Sequence, residues 1–172
     1  MFVRLCNWRC VLLGAILLGM TCSGLHSQPA KKRSESDSLE LAIARLREKG
    51  LPITDLQERL DGLSSRGLPC LEDPGCRDLW TEIGKESGQH QILSHLTVNT
   101  KKPKATIRYQ TLADRFMHGS DIRTMKRPTK CTDRIAIGSY YIWAVRNDVP
   151  TSSVDNRFDI VGKTENVELA EQ

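Results

Sequence analysis

The sequence predicts an α+β protein, an N-terminal helical hairpin followed by a small antiparallel β-sandwich of about five to seven strands. Apolar residues recur at helical spacing from Leu39 to Leu63. After Gly88 the apolar period falls to two, as in strands with one buried face. The run Ser139-Tyr140-Tyr141-Ile142-Trp143-Ala144-Val145-Arg146 has the β-branched and aromatic content of a strand buried on both faces.

Residues 1–27 have the layout of a secretory signal. Arg4 and Arg9 precede or flank the apolar run Val11–Met20, which is too short to cross roughly 30 Å of hydrocarbon comfortably. Cleavage is expected near Cys22-Ser23-Gly24 or after Ser27, and the product is expected outside the cytoplasm, secreted or membrane-anchored. Cys22, after Gly19-Met20-Thr21, is the candidate lipidation site; acylation or an uncleaved segment would each hold the chain at a membrane surface. The whole chain has 25 basic and 21 acidic side chains; losing residues 1–27 removes two arginines and no acid, leaving a formal charge of +2. That balance, with Lys31-Lys32-Arg33 and Lys101-Lys102 with Lys104 as the dense cationic runs, argues against nucleic acid as a partner. Residues 28–38 read as a polar leader, because alternating serine, glutamate and aspartate bury too little surface to fold alone.

Residues 39–88 read as the helical segment. Leu39, Ala42, Ile43 and Leu46 line one face of a first helix, which Gly50 and Pro52 end. Thr54 and Gln57 have capping-box spacing ahead of Leu56, Leu60 and Leu63, and the second helix ends near Gly67. Packing explains these leucines; an oligomerisation handle over residues 39–63 is the alternative. Cys70 and Cys76 enclose a Pro74-Gly75 turn signal and form the candidate disulfide, with Cys131 as the other partner available to either or as a buried reduced thiol. A third helix is expected from Arg77 to about Ser87, with Leu79, Trp80 and Ile83 inward and Asp78, Glu82 and Glu86 along a solvated face.

Residues 89–172 read as the β domain. Leu96 and Val98 point one way and His95, Thr97 and Asn99 the other; Ala105–Tyr109, Arg157–Val161 and Asn166–Leu169 supply further strands. Leu112–Thr132 is a long polar excursion containing His118 and Asp121. Asn147-Asp148 suits a turn. In the strong strand, Tyr141 and Trp143 read as core. The alternative is an aromatic platform for a glycan or peptide, with Arg108, Tyr109 and Arg146 beside it, and exposure decides between the two.

Lys102-Pro103-Lys104-Ala105-Thr106-Ile107-Arg108-Tyr109, then Pro128-Thr129, then Ile137-Gly138-Ser139-Tyr140-Tyr141-Ile142-Trp143 resembles the sequence course of PEGA-type surface domains over residues 95–170. Ala105 matches the last residue of the naming quartet, and Gly138 with Tyr140 matches a Gly-x-Tyr step; Lys104 stands where the quartet has glycine, and Pro128-Thr129 reverses the family's order. The resemblance implies a non-catalytic extracytoplasmic module that binds protein or carbohydrate, or acts as a spacer at the cell surface.

The function expected is therefore binding, through Arg108, Tyr109, Tyr141, Trp143 and Arg146, to protein or carbohydrate of the cell envelope, with no cofactor and no metal. Two other readings stand beside it: an extracytoplasmic enzyme or accessory using His118, Asp121 and Cys131, and a docking protein acting through its helical hairpin. The chain has no phosphate-cradling glycine loop and no Gly-x-Ser-x-Gly elbow to favour the enzyme.

Overall fold

A computed structural model describes residues 33–67, 72–101, 104–117, 121–125 and 131–170. The expected signal, with Cys22, lies outside the described residues, as do Cys70 and His118. The protein is α+β, with one mixed and one antiparallel sheet among the described residues.

Helix α1, Glu35–Glu48, starts inside the stretch expected to be leader. Ser34 is its N-cap, accepting the Asp37 amide at 3.1 Å, and Ser38 is buried on the face that carries Leu39, Ala42, Ile43 and Leu46. Composition alone marked these residues as unstructured; a cap and a buried face override it. Helix α2, Thr54–Ser64, buries Leu56 and Leu60. Its Thr54-Gln57 capping box does not form: Ile53 occupies the cap with no side-chain bond, and Gln57 Nε2 donates instead to Asp61. Helix α3, Pro74–Gln89, corrects the expected turn at Pro74-Gly75. Asp73 caps it by accepting the Gly75 amide at 2.7 Å, and proline takes the first turn, where its missing N–H costs nothing. Leu79, Trp80 and Ile83 are buried.

The strands are β1, Leu93–Asn99, and β2, Thr106–Thr111; then, after helix α4, Leu112–Met117, come β3, Arg123–Thr124, and β4, Cys131–Ala136. The longest strand is β5, Gly138–Arg146, followed by β6, Val149–Pro150, β7, Arg157–Ile160, and β8, Thr164–Glu168. The excursion from Leu112 to Thr132 thus holds α4, β3 and the start of β4 rather than being loop throughout. One sheet has the order β4-β1-β8, and the expectation of antiparallel pairing fails in it, because β8 runs parallel to β1. The other has the order β3-β2-β5-β6, with β7 also paired to β5, all antiparallel.

Two apolar clusters meet at β5. Leu96 and Val98 of the first sheet share a core with Ile107, Tyr140, Ile142 and Ala144 of the second. On the opposite side of β5, Tyr141, Trp143 and Val145 pack with the buried residues of α1, α2 and α3. Alternate side chains of one strand therefore feed two cores, which is why its sequence is apolar on both faces. Guanidinium groups tie the helices to the strands. Arg45 of α1 donates to the Val161, Gly162 and Leu93 carbonyls, and Arg33 pairs with Glu165, which also accepts the Gly162 amide.

Candidate functional site

The strand β5 turns into β6 through Asn147-Asp148, both at positive φ, 50° and 62°, as a two-residue hairpin turn of matching twist requires. The turn is braced below its tip. Thr151 N donates to Ala144 O at 2.8 Å, and Ala144 N donates to the buried Ser152 hydroxyl at 2.9 Å. Pro150 lies in the short β6, where a missing amide donor breaks no central ladder. At the tip, Arg108 of β2 donates to Asp148 at 2.6 Å, Arg146 is exposed, and Val149 is 62 % exposed. No ion pair or hydrogen bond of the Arg146 side chain is present among the described residues.

This geometry divides the five residues read as one surface. Tyr141 and Trp143 are 6 % and 5 % exposed, beneath the helices, so they are core and not a platform for a ligand. The Tyr141 ring face is already occupied by the chain's own Arg115, 4.4 Å from its centroid, and Arg115 is held in turn by Asp155 and the Val154 carbonyl. Arg108 lies directly opposite Trp143, and Tyr109 opposite Ile142, so the two neighbours point to different sides of the sheet. Tyr109 is half-buried, its ring edge-on to Tyr140 at 6.0 Å. Burial lifts its phenol above the usual tyrosine value of 10, with Arg123 opposing that shift. Of the expected surface, Arg146 is exposed and Arg108 partly so, both beside a hairpin tip where the turn and Val149, which were not among the expected residues, are also exposed.

The other expected sites fare as follows. Cys76 is buried and disulfide-bonded; its expected partner Cys70 lies outside the described residues. Asp121 pairs with Arg123 at 3.3 Å and is exposed; Cys131 begins β4 opposite Val98, and no convergence with His118 can be drawn, since His118 lies outside the described residues. The carboxylates of α3 do not act together: Glu82 pairs with Arg59, Glu86 lies 3.5 Å from His90, and Asp78 is exposed. No group of three or more metal-ligating side chains gathers among the described residues. Leu39, Leu46, Leu56 and Leu60 of the two N-terminal helices are at most 4 % exposed, so they are spent on the core.

Sequence reasoning missed one polar network. Arg157 donates to Ser139 at 2.7 Å and to Asp159 at 3.1 Å and pairs with Glu35 at the start of α1. An arginine in a short strand carries no local mark of a partner 122 residues away. No family model, curated protein or solved structure matches the chain.

Proposed function

We propose that the protein is a non-catalytic, exported, envelope-associated binding module, built as a helical hairpin over a two-sheet sandwich and contacting protein or carbohydrate through its β domain. The observation that carries this reading is the braced β5–β6 hairpin, which holds an arginine without a partner among the described residues and an exposed valine at the end of a strand, β5, that is fixed from both faces. Binding groups on a rigid support lose little freedom when a partner arrives. The signal-like residues 1–27 and the resemblance to PEGA-type surface domains support export and a surface role. In an oxidising compartment, a Cys70–Cys76 disulfide would pin the entry to α3.

The test is cosedimentation of the purified chain with isolated cell envelopes of the expression host and with their protein-stripped polysaccharide. Wild type is expected to pellet in a saturable way, and Arg146→Glu with Val149→Asp is expected to weaken that at least about tenfold while leaving the unfolding free energy in urea within about 0.5 kcal/mol of wild type. Equal sedimentation of the variant would remove the hairpin from the account. Pelleting with polysaccharide alone would identify carbohydrate as the partner.

A further inference from the structure

The outer face of the β4-β1-β8 sheet carries a cationic row beside a row of hydroxyl and amide groups. In β1 the buried Ser94, Leu96 and Val98 point inward, which turns His95, Thr97 and Asn99 to the other side. His95 stands opposite Arg134 of β4 and Thr164 of β8, and its amide donates to the Lys163 carbonyl at 2.9 Å, which sets Lys163 beside the same row. His95, Arg134 and Lys163 are exposed, and neither Arg134 nor Lys163 forms an ion pair among the described residues. The next row takes one residue from each strand, Thr132, Thr97 and Asn166, with the two threonine hydroxyls 3.1 Å apart. The acids of these strands stand elsewhere: Asp133 and Glu165 lie opposite the inward Leu96, and Glu168 lies opposite Asn99 at the far end.

Exposed cations without partners favour an anionic ligand, and a guanidinium matches a carboxylate in shape as well as charge. The second row adds groups that both donate and accept, spaced by strands about 4.8 Å apart, which suits the hydroxyls of a chain of sugar rings lying across the sheet. Neither row has an aromatic or an exposed large apolar side chain, the kind that anchors a protein partner or enters a membrane. We infer that this face binds an acidic glycan, with carboxylate groups on Arg134 and Lys163 and ring hydroxyls bonded along Thr132, Thr97 and Asn166. The hairpin tip belongs to the other sheet, so either site can fail without the other.

The test is a titration of the full chain, purified from a secreting host, with tetragalacturonate, read by backbone amide shifts. Neutral maltotetraose, tetraglutamate and, by cosedimentation, phosphatidylglycerol vesicles are the rival ligands. The expected result is saturable shifts centred on β1, β4 and β8, at least about tenfold tighter with tetragalacturonate than with maltotetraose or tetraglutamate, and no pelleting with vesicles. Arg134→Glu with Lys163→Glu is expected to weaken tetragalacturonate at least about tenfold, whereas Lys101→Glu with Lys104→Glu, the same change of charge beyond the other end of β1, stays within about twofold of wild type. Thr97→Val with Thr132→Val keeps the charge and the strand propensity and removes both hydroxyls, so it is expected to weaken binding at least about fivefold. The charge pair and the threonine pair test the face separately, which keeps the result decisive should one variant fold poorly. Tetraglutamate binding as tightly as tetragalacturonate, pelleting with the vesicles, equal losses in the two charge variants, wild-type affinity in the threonine variant, or no saturable shift at all would each overturn the inference.

Discussion

Arg157 reaches Glu35, Ser139 and Asp159 from a side chain only 11 % exposed, joining the first turn of α1 to two neighbouring strands. Arg157→Met preserves length and apolar stem but removes the Arg157 bonds to Glu35, Ser139 and Asp159, so it is expected to cost about 2 kcal/mol, read as a lowered urea midpoint. Arg146→Met, whose side chain has no described partner, should stay within about 0.5 kcal/mol. Equal losses would show that the network adds nothing to stability. Tyr140 gives a second prediction at this scale. Its hydroxyl donates to the Ala136 carbonyl at 2.7 Å, and burial foremost, with the nearby Tyr109 adding to it, raises its pKa well above the usual 10. Below pH 10 the phenol is neutral in both folded and unfolded chains and contributes no pH dependence. Above 10 the unfolded chain loses the proton first, so stability falls as pH rises towards the folded value. A stability curve that stayed flat from pH 10 to 11.5, with a freely titrating Tyr140 signal, would contradict the burial.

At the scale of elements, capping separates two helices that look alike in sequence. Ser34 caps α1 through the Asp37 amide, so Ser34→Ala should cost about 1 kcal/mol and speed amide exchange in the first turn of α1. Thr54→Ala at the start of α2 should cost only a few tenths, because no side-chain cap bond exists there to lose. Reversed effects would mean that the two helix starts are assigned wrongly. The same contrast explains what was legible. Helical spacing marked Leu39, Ile43, Leu46, Leu56 and Leu60, all of which are buried, and the double-sided apolar pattern marked Tyr141 and Trp143 as core. Strand β4 was not legible: in Cys131-Thr132-Asp133-Arg134-Ile135-Ala136 the buried Ile135 follows three polar residues, and an edge strand of that composition shows no clear alternation. Helix α4 is six residues long, too short for a periodic stripe to be read, and the parallel pairing of β8 with β1 is a matter of chain path that no local pattern encodes.

At the scale of the whole molecule, the helices and the strands are not independent layers. The cluster beneath α1, α2 and α3 contains Ile92, Ile137, Tyr141, Trp143 and Val161, and the arginines at 33, 45 and 157 bond across the same boundary. The boundary expected between a helical segment and a β domain is therefore a packed interface. The expected binding surface was only partly legible for the same reason: its aromatic members are covered by helices that lie far from them in sequence, whereas Arg108 and Arg146 stay accessible at a hairpin whose turn residues announced it. Among the described residues no helix is long and apolar enough to cross a membrane. The most direct test of the proposed exported module is fractionation of a secreting host carrying the full chain, with intact mass taken before and after reduction. The account predicts an extracytoplasmic species that begins at Gln28 or at an acylated Cys22; a chain of full length recovered from the cytoplasm would contradict it.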